Sequence, residues 1–170
     1  MGRKEEQRAR VLKDALGALG YPGFVSLFSA LEAEEGHDPA VVLMAALACD
    51  RLEESVVEAL PWLVLRYEHM DWGWLVAEAR RRGVQNRLGF VVALALRAGA
   101  GGTLGMDRLT RLAAVEEELY ACRLAKEEAL WPGAPAARRG AVKAARGEEA
   151  SQWGVPSLLR AQELRYIGDV

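Results

Sequence analysis

The sequence predicts an all-α fold, and three observations carry that prediction. Apolar residues recur at three- and four-residue intervals, Asp38-Pro39 and Asp71 mark clean helix starts, and glycine or proline punctuates the stretches between. The expected architecture is an irregular helical bundle or short α-solenoid of helical hairpins over residues 1–131. An extended, partly helical C-terminal tail is expected over 132–170.

The first helix is expected over 5–19, where Ala9, Leu12, Ala15, Leu16 and Leu19 line one face. Gly20-Tyr21-Pro22-Gly23 stops it, because Gly permits the terminal turn and Pro cannot continue the helix. Phe24, Leu27, Phe28 and Leu31 mark a short second helix. The helix from Ala40 to Cys49 is apolar nearly all round, which argues burial on more than one side. The next runs from about Leu52 to Tyr67, and Pro61 should kink or divide it near Leu60. Asp71 caps a helix that ends at Gly83, and Val84 to Arg97 forms another. The two capped starts lie 33 residues apart, the layout of two stacked hairpins.

Leu60 to Leu96 holds three of the five tryptophans and the densest apolar run, so it is the expected core, with Trp62, Trp72 and Trp74 inside it. Gly99-Ala100-Gly101-Gly102 reads as a flexible joint. The longest helix is expected after it, from about Met106 to Leu130, until Trp131-Pro132-Gly133 breaks the chain. Beyond that break the sequence is rich in Ala, Arg and Lys, and its scattered apolar anchors cannot form a core of their own. The tail must pack back over 1–131 or dock on another chain.

Composition narrows function mainly by exclusion. Hydrophobic residues at 51% and charged residues at 27% describe a globular chain, long enough at 170 residues for one sizeable core. A net charge of −2 gives no push toward nucleic acid or an anionic membrane. The longest apolar run, Leu88 to Leu96, is far short of the roughly 20 residues a membrane span requires. With two cysteines, each in an apolar helical pattern, and no secretory signal, a cytoplasmic protein with buried free thiols is expected.

No catalytic, cofactor-binding or metal-binding constellation emerges. His37 and His69 fall in inter-helix loops without the i, i+4 spacing that aims two ligands off one helix face, although Glu68 and Asp71 lie near His69. Ala79-Arg80-Arg81-Arg82-Gly83-Val84-Gln85 resembles the turn of a helix-turn-helix, but the helix after it is too apolar to read base edges. Gly89 also stands where that motif places a branched apolar residue. The arginines are cations well placed at a helix C-terminus.

Gln85, Asn86 and Arg87 interrupt the core. They are expected either to satisfy backbone groups, with Arg87 paired to Asp71 or Glu78, or to line a groove with Trp72 and Trp74. Trp131, at the break before the tail, and Trp153 within it are either staples or anchors for another protein, together with Leu158, Leu159, Leu164, Tyr166 and Ile167.

The functional expectation is a non-enzymatic interaction protein of bacterial type, an adaptor or antitoxin-like neutralising partner, whose arm lies across another protein or a second copy. One alternative is a DNA-associated regulator contacting nucleic acid through Arg80, Arg81, Arg82, Arg138 and Arg139. The other is a helical enzyme or small-ligand binder using the Trp72, Trp74, Gln85 and Arg87 pocket.

Overall fold

The computed structural model describes residues 2–25, 36–102, 104–128, 131–132 and 136–170, and every regular element among them is helical. The helices are α1 (Arg3–Ala18), α2 (Pro39–Leu47), α3 (Glu54–Arg66), α4 (Trp72–Arg82), α5 (Gln85–Ala100), α6 (Met106–Ala121), α7 (Arg139–Ala145) and α8 (Glu148–Gln152). The short helix expected around Leu27, Phe28 and Leu31 lies outside the described residues.

The helix boundaries follow local chemistry. The Asp38 carboxylate accepts from the Ala40 amide at 2.9 Å, and Asp71 accepts from the Trp74 amide at 2.9 Å. Gly83 ends α4 in the left-handed conformation, φ 69°, which a Cβ would penalise. Pro61 does not divide α3, which continues through it as one element. At the far end of α3, Arg108 donates to the otherwise open carbonyls of Val64 and Leu65.

The bundle is irregular and α5 is its axis: α3, α4 and α6 all pack on it, while α2 packs on α1, α3 and α4. Residues 88–95 of α5 are all buried. The glycine-rich joint is part of this packing, since α5 continues to Ala100 and Gly99 lies buried beneath Leu104. Only the following turn is left to connect α5 to α6. The latter is also shorter than the sequence suggests, ending at Ala121. The Gln85 amide donates to the Cys122 carbonyl at 3.1 Å, and Asn86 both donates to the Leu124 carbonyl at 2.9 Å and accepts from its amide at 2.8 Å. Those bonds hold the chain beyond Cys122 in a non-helical course.

Of the three tryptophans expected in the core, one is fully enclosed, Trp72 packs against the core's edge, and Trp74 lies outside it. Trp62 is buried, but Trp72 is half-buried and Trp74 is 40% exposed. The buried face of α4 is Leu75, Val76 and Ala79, and Trp74 projects away from that stripe.

The arm lies on its own body. Trp131, Ala150, Trp153 and Val155 are completely buried and belong to the same continuous core as α3 and α5. The Trp131 indole donates to the Ala46 carbonyl at 3.3 Å. The Glu128 amide donates to the Gly154 carbonyl at 2.8 Å, and the Ser157 hydroxyl donates to Glu54 at 2.7 Å. Arg165 then grips Glu58 through two bonds of 2.8 and 3.0 Å.

An aromatic cluster fastens the end of the arm. Tyr21 sits 5.1 Å from Phe24, 5.3 Å from Trp62 and 5.4 Å from Tyr166, centroid to centroid, in tilted and edge-on geometries. Burial, reinforced by the charge of Glu58, pushes the Tyr21 phenol up to about 12. The folded state therefore holds this proton more tightly than the unfolded chain, whose tyrosine titrates near pH ~10. The associated stability is complete below that pH and is lost as pH rises through the folded value. At pH ~11 the difference in 295 nm absorbance between the native protein and Tyr21→Phe should show only about a tenth of a tyrosinate from residue 21, against about nine tenths for an ordinary tyrosine. A full tyrosinate signal there would mean the ring is not enclosed.

Candidate functional site

Helix α2 is buried on more than one side, as its apolar sequence implies, but one stripe of it stays exposed, and that stripe builds the site. Although α2 is apolar nearly all round, Val41 is 52% exposed, Ala45 is exposed and Ala48 is only half-buried. These positions follow i, i+4, i+7, so they form a single stripe that none of the described residues covers. Opposite them, α1 presents Lys4, Arg8 and the 60% exposed Val11 at the same spacing. Between the two helices runs an open groove of about 560 Å³, floored by Val11, Leu12, Ala45 and Ala48 and rimmed by Lys4, Arg8 and Arg82.

Cys49 closes the floor. It is buried, its thiol donates to the Ala45 carbonyl at 3.3 Å, and burial raises its pKa despite the opposing charge of Arg8. Burial and this hydrogen bond make the thiol part of the helix packing.

The groove opens at its Ala48 end into a polar cleft of about 350 Å³, lined by Asp50, Arg81, Arg82, Gly83, Arg87 and Lys126. Arg87 forms the wall between cleft and core. It donates to the Leu47 carbonyl at 2.7 Å, the Cys49 carbonyl at 2.8 Å and Glu128 at 2.9 Å, and lies 5.6 Å from the centre of the Trp131 ring. Neither carboxylate expected as its partner is used. Asp71 is occupied at the N-terminus of α4, and Glu78 is held by Arg81 and Arg82 at 2.5–2.8 Å. Those arginine hydrogen bonds, Arg81 foremost, hold the Glu78 carboxyl down at about 2.

The structure separates several residues that the sequence placed together. Trp72 lines a small crevice with Glu68, Arg108 and Arg111 near the start of α4, whereas Arg87 lies beyond the end of that helix. About 15 Å of helix divides them, so Trp72, Trp74, Gln85, Asn86 and Arg87 do not form one groove. Asn86 is 1% exposed and Gln85 5%, and both are committed to the loop after α6.

Among the arginines considered for nucleic acid, Arg80 and Arg138 are exposed, Arg139 is half-buried, and Arg81 and Arg82 share Glu78. Of the apolar residues expected to anchor a partner, Trp131, Trp153 and Leu159 are buried. Leu164, Tyr166 and Ile167 are half-buried against the core, while Leu158 remains 48% exposed. His37 and His69 are exposed, and no cluster of three His, Cys, Asp or Glu suited to a metal ion occurs among the described residues.

Sequence reasoning missed Lys4, Arg8, Val11 and Glu128. The first three could have been found, because a helix apolar on every side needs more neighbours than one hairpin provides, and α1 carries a valine on its polar face. Nothing local marks Glu128 as the partner of Arg87. No protein-family model, curated protein or solved structure matches the chain.

Proposed function

We propose that the protein is a non-enzymatic interaction module, an adaptor or neutralising partner, that receives an amphipathic helix of another protein in the groove between α1 and α2. The observation that carries this reading is the pair of facing apolar surfaces that line the groove, Val11 and Leu12 on one wall and Ala45 and Ala48 on the other, with the exposed Val41 one turn further along the α2 stripe. A helix laid in such a groove places its i, i+3, i+4 and i+7 side chains where the stripes want cover. The groove is favoured over the arm because the arm's largest side chains are already enclosed by their own chain. Two unpaired cysteines suit a cytoplasmic setting.

Titration of isotope-labelled protein with a panel of amphipathic helical peptides tests this. Methyl shifts should centre on Val11, Leu12, Ala45 and Ala48. Val11→Asp should weaken binding by about tenfold or more without moving Tm, since the side chain it replaces is exposed. Shifts centred instead on Leu158, Leu164 and Ile167 would move the interface to the arm.

A further inference from the structure

We infer that the groove's occupant is an acidic helix, oriented with its C-terminal end over the cleft between Arg82 and Lys126; this rests on the groove reading above. The groove and the cleft are continuous, sharing Ala48 and Arg82. Their lining is strongly unbalanced in charge. Lys4, Arg8, Arg81, Arg82, Arg87 and Lys126 face Asp50 alone, and counting Glu78 and Glu128 behind them still leaves three positive charges unmatched. The whole chain carries a net −2, so this surplus is a local concentration.

The surplus also has a direction. At one end the groove is apolar, with Val11 and Ala45. At the other it gathers Arg8, which acts on Cys49, then Arg82, and finally Lys126 across the cleft. Lys4 to Leu12 covers about 12 Å along α1, so roughly two helical turns of a partner would fit the groove before its next turn reached the cleft. A helix C-terminus carries about half a negative charge on its open carbonyls. Glu or Asp in the last turns adds to it, and the cations of the cleft complement both. The reverse orientation would aim a positive helix end at Arg82 and Lys126. Complementarity of this kind sets register and encounter rate.

A displayed library of 16-residue helices tests the inference. One face is kept apolar and the other drawn from Glu, Gln and Lys; selection is on the full chain, with Val11→Asp as counter-target. Glutamate should be enriched in the last two turns. A selected peptide should bind Lys126→Glu about tenfold more weakly, and added salt should weaken its binding to the native protein. Enrichment without a glutamate bias, glutamate concentrated at the N-terminal end, or indifference to Lys126→Glu would overturn the inference and leave the groove reading standing. No enrichment over Val11→Asp would overturn both. Tighter binding of a DNA duplex than of any selected peptide, abolished by Lys126→Glu, would assign the cations to nucleic acid and overturn the inference as well.

Discussion

Gly89→Ala is expected to destabilise the protein by about 2 kcal/mol and to loosen the arm, although alanine in place of a helical glycine ordinarily stabilises by about 1 kcal/mol. The reversal comes from Trp153. An alanine Cβ at position 89 would overlap the six-membered ring of that indole, striking three of its carbons far inside van der Waals contact. The ring has no room to retreat. It is completely buried, and Tyr120 stands edge-on against it at 5.9 Å. Trp153→Ala removes the same contact from the other side and should cost about 3–5 kcal/mol through the cavity it leaves.

The double variant distinguishes this mechanism from general damage to α5. With the indole gone, Gly89→Ala has nothing to strike, so adding it to Trp153→Ala should be neutral or stabilising by up to about 1 kcal/mol. Urea unfolding of the four proteins supplies the cycle. Trypsin reports on the arm itself: cutting after Lys143 and Arg146, which are held against Glu127 at 2.9 and 3.0 Å, should accelerate in both single variants. A neutral Gly89→Ala would mean that Trp153 is seated elsewhere and that the arm is not fixed to α5.

That contact also shows what the sequence could and could not say. Gly89 was visible as an anomaly, a glycine inside the most apolar helix, and Trp153 as an anchor in a sparse region. Their match across 64 positions required the fold. Helix starts were legible because a cap is local: Asp38 and Asp71 need only the amides two and three residues ahead. The end of α6 was not legible. The side chains of Gln85 and Asn86, nearly 40 residues earlier, decide it.

Burial misled in both directions for one reason. Trp74 and Val41 have core chemistry, but whether a helix face is covered depends on which neighbours reach it, and none of the described residues covers these two. The candidate site is made of such uncovered positions. Hydrophobicity alone therefore pointed away from it, toward the arm, whose tryptophans turned out to be enclosed.

The second large effect is expected at Arg87. Arg87→Met should destabilise the fold by about 3–5 kcal/mol, because it leaves Glu128 buried without its cation and strips donors from the carbonyls of Leu47 and Cys49. Arg87→Lys should recover little of this, since one ammonium cannot reproduce a planar fork that bonds two carbonyls and a carboxylate at once. Replacing both partners, Arg87→Met with Glu128→Leu, should be milder than Arg87→Met alone, because no unpaired charge is then enclosed.

The consequences should reach the cleft. Glu128 lies two residues from Lys126, and its amide joins the body to Gly154 of the arm. Hydrogen exchange at the Leu124 amide, which Asn86 accepts at 2.8 Å, should accelerate in Arg87→Met and recover partly in the double variant. If exchange there is unchanged while global stability falls, the pair supports the core without positioning the loop. If both change together, the same buried arginine that closes the core also sets where Lys126 stands at the mouth of the groove.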